Sequence, residues 1–136
     1  MGETILVLDD ELDMLRLLET IITSRTGHSV VTTNNPLELE DLMAASPPSL
    51  VISDLKMLGR DGLEVIETAH RIDPTLPVVI ITAYGSLESA EEAIRQGAYD
   101  YITKPFRKEQ VLIAIERALE WRHLTRENLR LKQGTA

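Results

Sequence analysis

The 136-residue chain contains no cysteine. That excludes disulfides, thiolate metal sites and a cysteine nucleophile, and it fits a reducing compartment. No apolar run approaches the roughly 20 residues that a membrane-spanning helix needs. The N-terminus, Met1-Gly2-Glu3-Thr4, has no basic segment followed by an apolar core, so no signal peptide is read there. A cytoplasmic protein with no membrane span is the expectation. Positive charge is also short: the net charge is −8, which argues against direct nucleic-acid binding through a basic face. Neither G-x-G-x-x-G nor G-x-x-x-x-G-K occurs, so a nucleotide held by this chain is not the expected phosphoryl donor. His28, His70 and His123 fall on surface or helix positions, and none accompanies a serine at a strand end. A Ser/His/Asp hydrolase is therefore not expected.

What the chain does have is one core's worth of apolar residues, 43% of the total, in a length that fits one domain. The stretch Leu50-Val51-Ile52-Ser53-Asp54 organises the rest. Its apolar run after Pro47-Pro48 reads as a buried central strand ending in a carboxylate. Three other apolar runs end in reactive side chains: Ile5-Leu6-Val7-Leu8 in Asp9-Asp10, Val78-Val79-Ile80-Ile81 in Thr82, and Tyr101-Ile102-Thr103 in Lys104-Pro105. Strands are expected over 4–8, 29–33, 50–53, 78–81 and 101–103, the second polar enough to be an edge. Helical spacing runs through Leu12, Leu15, Leu18, Ile21 and Ile22, then Leu37, Leu39, Leu42 and Met43. It returns over 62–72, at Leu87, Ala90, Ala93 and Ile94, and at Val111, Leu112, Ile115, Ala118 and Leu119. Gly27 and Gly97 are placed to end helices, and Ser86 to cap one. Strand and helix alternate five times, the pattern of a parallel sheet with helices on both faces.

Parallel strands carry their carboxyl ends to one sheet edge, where open α/β sheets bind ligands. Asp9, Asp10, Asp54, Thr82 and Lys104 should therefore converge. Clustered carboxylates repel, and a hard cation such as Mg²⁺, which favours oxygen ligands beside a phosphate, relieves the repulsion. Lys104 offers a point charge and Thr82 a hydroxyl. With a phosphoryl group added, Asp54 would attack in line and become an acyl phosphate.

Taken together and in order, Asp9-Asp10, Asp54-Leu55-Lys56-Met57 with Asp61-Gly62, Thr82-Ala83-Tyr84-Gly85-Ser86 and Lys104-Pro105-Phe106 resemble the receiver domain of two-component response regulators, from about residue 4 to about 119. The run from Gly97 to Phe106 is similar to the nitrogen-regulation branch, whose members activate promoters that use the alternative sigma factor. The resemblance implies a flavodoxin-like, doubly wound five-stranded parallel sheet of order 2-1-3-4-5 with five helices, the last extended. It implies that Asp54 is the phosphoacceptor and that Asp10 and Asp54 ligate Mg²⁺ directly. The Lys56 backbone carbonyl would be a third ligand, and Asp9 would act through water. Thr82 would contact the phosphoryl group, Lys104 would pair with it and with Asp54 before phosphorylation, and Tyr101 would be the aromatic switch. The Lys104-Pro105 bond is expected to be cis. One departure stands out: the family usually has Pro directly after the Met, and here the residue is Leu58.

Plainer readings stand beside these. Asp9-Asp10-Glu11 suits a helix N-terminus favoured by the dipole, Thr82 an ordinary strand end, Tyr101 strand packing and Lys104 a solvated loop. Residues 1–120 read as the receiver and 121–136 as a helical extension toward an effector domain. In that extension Trp121, Leu124, Asn128 and Leu131 follow coiled-coil spacing, with Glu127 and Lys132 flanking. The plain alternative is the amphipathic end of a single helix. The expected partners are a sensor histidine kinase or phosphotransfer protein and a second copy through the last helices. The rivals are a stand-alone or phosphorelay receiver, an unphosphorylated binding module, and an Asp-nucleophile phosphohydrolase. The last commonly has Asp two residues after its nucleophile, where this chain has Lys56.

Overall fold

The structure, a computed structural model, describes residues 2–134. Five strands, β1 (Thr4–Leu8), β2 (Ser29–Thr33), β3 (Leu50–Ser53), β4 (Val78–Thr82) and β5 (Asp100–Thr103), form one parallel sheet of order β2-β1-β3-β4-β5. Between them run α1 (Leu12–Arg25), α2 (Leu39–Ala45), α3 (Gly62–Ile72) and α4 (Leu87–Arg95), and α5 (Lys108–Gly134) closes the chain. The expected doubly wound architecture is thus observed, with β2 at an edge. A 3-10 turn at Pro36–Glu38 precedes α2, started by the Asn35 side chain, which accepts from the Leu37 N–H.

The central strands are apolar on both sides because each side meets helices. Ile5, Val7, Leu50, Ile52, Val79, Ile81 and Ile102 join Leu15, Leu18 and Ile22 of α1 and Val111, Ile115 and Ala118 of α5 in one core. The alternate residues Leu6, Leu8, Val51, Val78 and Ile80 join Leu39 and Met43 of α2 and Val65, Ile66 and Ala69 of α3 in the other. The two-residue period of a strand divides the sequence between these layers. Several apolar residues at helical spacing lie outside both cores. Leu12, Leu37, Leu87 and Ile94 are exposed, and of the four apolar positions that mark α4 only Ala93 is buried.

The register aligns the reactive strand ends. Leu8 pairs with Ser53, Ser53 with Ile80, and Thr82 with Thr103, so Asp9, Asp54, Thr82 and Lys104 emerge along one edge. At the opposite edge α5 is fastened to the body. The Trp121 ring lies 5.8 Å from that of Tyr99. Arg122 donates to Asp73 at 3.0 Å, and His123 Nε2 lies 3.0 Å from Glu3 Oε1. The helix runs through residue 120 without a break. Leu124 and Leu131 are exposed, and Glu127 pairs with Arg130 of its own helix. Residues 135 and 136 of the extension lie outside the described residues. No helix among the described residues is long and apolar enough to cross a membrane.

Candidate functional site

Lys104 sits at the centre of the site. Its Nζ donates to Asp9 Oδ2 at 2.9 Å, to Asp54 Oδ2 at 3.1 Å and to Glu11 Oε1 at 3.4 Å. An ammonium has three donors, and here each has a carboxylate. The backbone delivers Lys104 by pairing its N–H with the Thr82 carbonyl at 2.8 Å, and the Lys104-Pro105 bond is cis, as the resemblance implied.

Asp54 is buried. The N–H of Leu55 holds its Oδ1 at 2.6 Å and that of Lys56 at 3.4 Å, which leaves Oδ2 for Lys104. The loop that carries it is cinched to α3. Gly62 donates to the Leu55 carbonyl at 2.8 Å, and a Cβ on Gly62 would lie 2.7 Å from the Asp54 carbonyl oxygen, so only glycine permits this approach. Asp61 caps α3 through a capping box with Glu64. Arg60 ties the same loop to α2 by a two-pronged pair with Glu40 at 2.6 and 3.0 Å.

Asp9 is 2% exposed. Burial pushes its carboxyl above the usual range, the Asp54 charge adds to that push, and hydrogen bonds from the Glu11 N–H and from Lys104 oppose it. For Lys104, burial alone would lower the value, but hydrogen bonds to Asp9 and Asp54 outweigh it and hold the ammonium above its usual range. Burial therefore prevails at Asp9 and pairing prevails at Lys104. One ammonium is stabilised by several carboxylates, whereas each carboxylate has only a share of one ammonium. Oxygens of Asp9, Glu11 and Asp54 all lie within 4.8 Å of one another. This all-oxygen, net negative donor set suits a hard divalent cation such as Mg²⁺.

Of the residues expected to converge, Asp9, Asp54 and Lys104 are in direct contact. Thr82 is fully buried at the same edge and its hydroxyl accepts from the Tyr84 N–H at 3.2 Å. Tyr101 is partly buried against the α3 core, and its hydroxyl donates to the Tyr84 carbonyl. Burial raises its phenol above the usual value, and the Asp54 charge adds to this. Lys56 is exposed, with its ammonium 5.9 Å from the Tyr84 ring. Asp10 stands apart from the carboxylate group: it is exposed, and its Oδ2 accepts from the Leu58 N–H at 3.2 Å. Proline, the family's usual residue there, has no N–H to give. Glu11, read from sequence as part of an acidic helix N-terminus, is the N-cap residue of α1; its side chain makes no cap hydrogen bond and also reaches Lys104. Only the spacing of the acidic triplet hinted at it.

Comparison with known proteins agrees with this geometry. The family model for the response regulator receiver domain matches residues 5–116. The nitrogen assimilation regulatory protein NtrX of Azorhizobium caulinodans is 39% identical over 137 residues, covering 99% of this chain and 30% of that protein. The crystal structure of NtrX from Brucella abortus in complex with ADP superposes with a TM-score of 0.89 at 37% identity, over 99% of this chain and 30% of that one. A response regulator receiver domain protein from Clostridium thermocellum superposes at 0.83 and 30% identity, over 90% of this chain and 98% of that one. The chain spans between a quarter and a third of the length of the curated relatives it first matches.

Proposed function

Since the chain belongs to the response regulator receiver domain family, we propose that it is a phosphorylation-switched signalling module whose phosphoacceptor is Asp54. The donor is a phosphohistidine on a sensor histidine kinase or phosphotransfer protein. An Asp54 carboxylate oxygen attacks phosphorus, the P–N bond breaks, and the imidazole leaves with the electron pair. Lys104, already within hydrogen-bond reach of Asp54, transfers its pairing to a phosphoryl oxygen, and the Thr82 hydroxyl donates to another. Asp10 and Asp54, the Lys56 carbonyl, and Asp9 through water would hold Mg²⁺, which supplies charge neutralisation at the phosphoryl oxygens when bound. The observation that carries this reading is the single ammonium shared by the ends of β1 and β3.

As Thr82 turns to the phosphoryl group it gives up the Tyr84 N–H, and Tyr101, bonded to the Tyr84 carbonyl, turns inward with it. The surface of α4, β5 and α5 then changes and is read by an effector or a second copy. Residues 1–120 form the receiver body, and Trp121, Arg122 and His123 keep the start of the extension against it. From there the seam of Leu124, Asn128 and Leu131 pairs with another chain and leads toward a transcriptional effector of the sigma-factor-activating kind, in the cytoplasm. Sedimentation that finds only monomer at high concentration, with and without phosphorylation, removes the paired helix.

The deciding experiment is intact mass after acetyl phosphate with Mg²⁺. The wild type gains one phosphoryl group and Asp54→Asn gains none. A wild type that stays unmodified means a receiver fold serving only as a binding module.

A further inference from the structure

The bend after Asp54 brings the Leu58 N–H to within 3.2 Å of Asp10 Oδ2, joining the loop after β3 to the loop after β1. The Leu58 side chain is 86% exposed, so the contribution of this residue lies in its backbone. Asp10 has no part in the carboxylate group around Lys104, and its contact with Leu58 is with a neutral donor. A carboxylate has two oxygens and about four lone-pair sites, so the constraint is one of position: no Asp10 oxygen joins the group of Asp9, Glu11 and Asp54, and turning the carboxylate toward a cation shared with Asp54 draws Oδ2 away from the Leu58 N–H. We infer that the Leu58 N–H competes with the cation for the Asp10 carboxylate, so that loading the site releases the loop after β3 from the loop after β1. The inference rests on the reading above that Asp10 is a cation ligand.

The local backbone allows a clean test. Gly59, the next residue, has φ +92°, and a glycine of positive φ is the residue that follows proline in a type II turn. Leu58→Pro removes the N–H, while Leu58→Ala removes the exposed side chain and keeps the N–H.

The experiment is calorimetric titration of Mg²⁺, with no phosphodonor, into metal-free wild type, Leu58→Ala, Leu58→Pro and Asp10→Asn. It is paired with the amide spectrum of wild type during the same titration. Leu58→Ala should bind like wild type, Leu58→Pro about two- to ten-fold more tightly, the range one exposed hydrogen bond gives, and the Leu58 amide resonance should move as Mg²⁺ is added. Leu58→Pro that binds no more tightly than wild type overturns the inference, as does Leu58→Ala that gains as much as Leu58→Pro. If Leu58→Pro fails to fold, the amide decides: a Leu58 resonance that stays fixed through saturation overturns it, and one that moves supports it. Asp10→Asn that binds Mg²⁺ as well as wild type, or wild type that binds none, removes the underlying ligand assignment as well.

Discussion

Helices α3 and α4 flank the same face of the sheet and are held in opposite ways. α3 buries Val65, Ile66, Thr68 and Ala69, starts on a capping box and ends at Asp73, which Arg122 of α5 grips. α4 buries Ala93 alone and leaves Leu87 74% and Ile94 48% exposed. Its start is capped by Ser86, and Gly97 at φ +112° ends it. The first helix is fixed because the Asp54 loop is built on it. The second has few buried contacts to lose, which puts it at the low-stability end of the fold. Burial is concentrated in the helix beside the Asp54 loop and is thin along α4.

Three substitution or pH experiments test that contrast. Ile66→Ala should cost about 3 kcal/mol, because it leaves a cavity in a closed core. Ile94→Ala should cost less than about 1 kcal/mol, and urea unfolding of both measures the difference. Comparable losses would mean that α4 is as firmly packed as α3. Next in size, Asp61→Ala should cost about 1 kcal/mol and should loosen the Asp54 loop. Ser86→Ala should fall at the low end of the same range and raise amide exchange in α4 alone. The smallest effect concerns the far end of α3. Burial alone would raise the Asp73 carboxyl, but hydrogen bonds from Thr75 and Arg122 outweigh it and hold it below its usual value. A depressed carboxylate contributes stability that is complete above its unfolded value, about 3.9, and lost as pH falls through the folded one. The gap in stability between wild type and Arg122→Gln, under about 1 kcal/mol for a partly exposed pair, should therefore be constant near neutrality and close below about pH 4.

Much of this was legible before any coordinates. Apolar runs ending in Asp9, Asp54, Thr82 and Lys104 carried both the sheet and the site, since parallel strands bring such ends together. Helical spacing likewise located α4, but spacing tells which residues share a face and says nothing of whether anything covers that face, so the exposure of Leu87 and Ile94 was out of reach. Arg122 and Asp73 lie 49 residues apart, and no local pattern joins them, so this anchor of α5 to the body is not visible in residue spacing. The reach of Glu11 to Lys104 and of Asp10 to Leu58 depends on rotamers and on a loop's path, and residue type alone determines neither.

The unbroken course of α5 has a mechanical consequence. Beyond the His123–Glu3 pair the helix continues to residue 134, about 16 Å at 1.5 Å per residue. A stiff rod of that length turns angle into distance: a tilt of about 5° at its root carries the tip about 1.4 Å sideways. A small repacking beside Trp121 and Arg122 is thereby enlarged, along a lever that needs no hinge, to a displacement that a mated helix would feel.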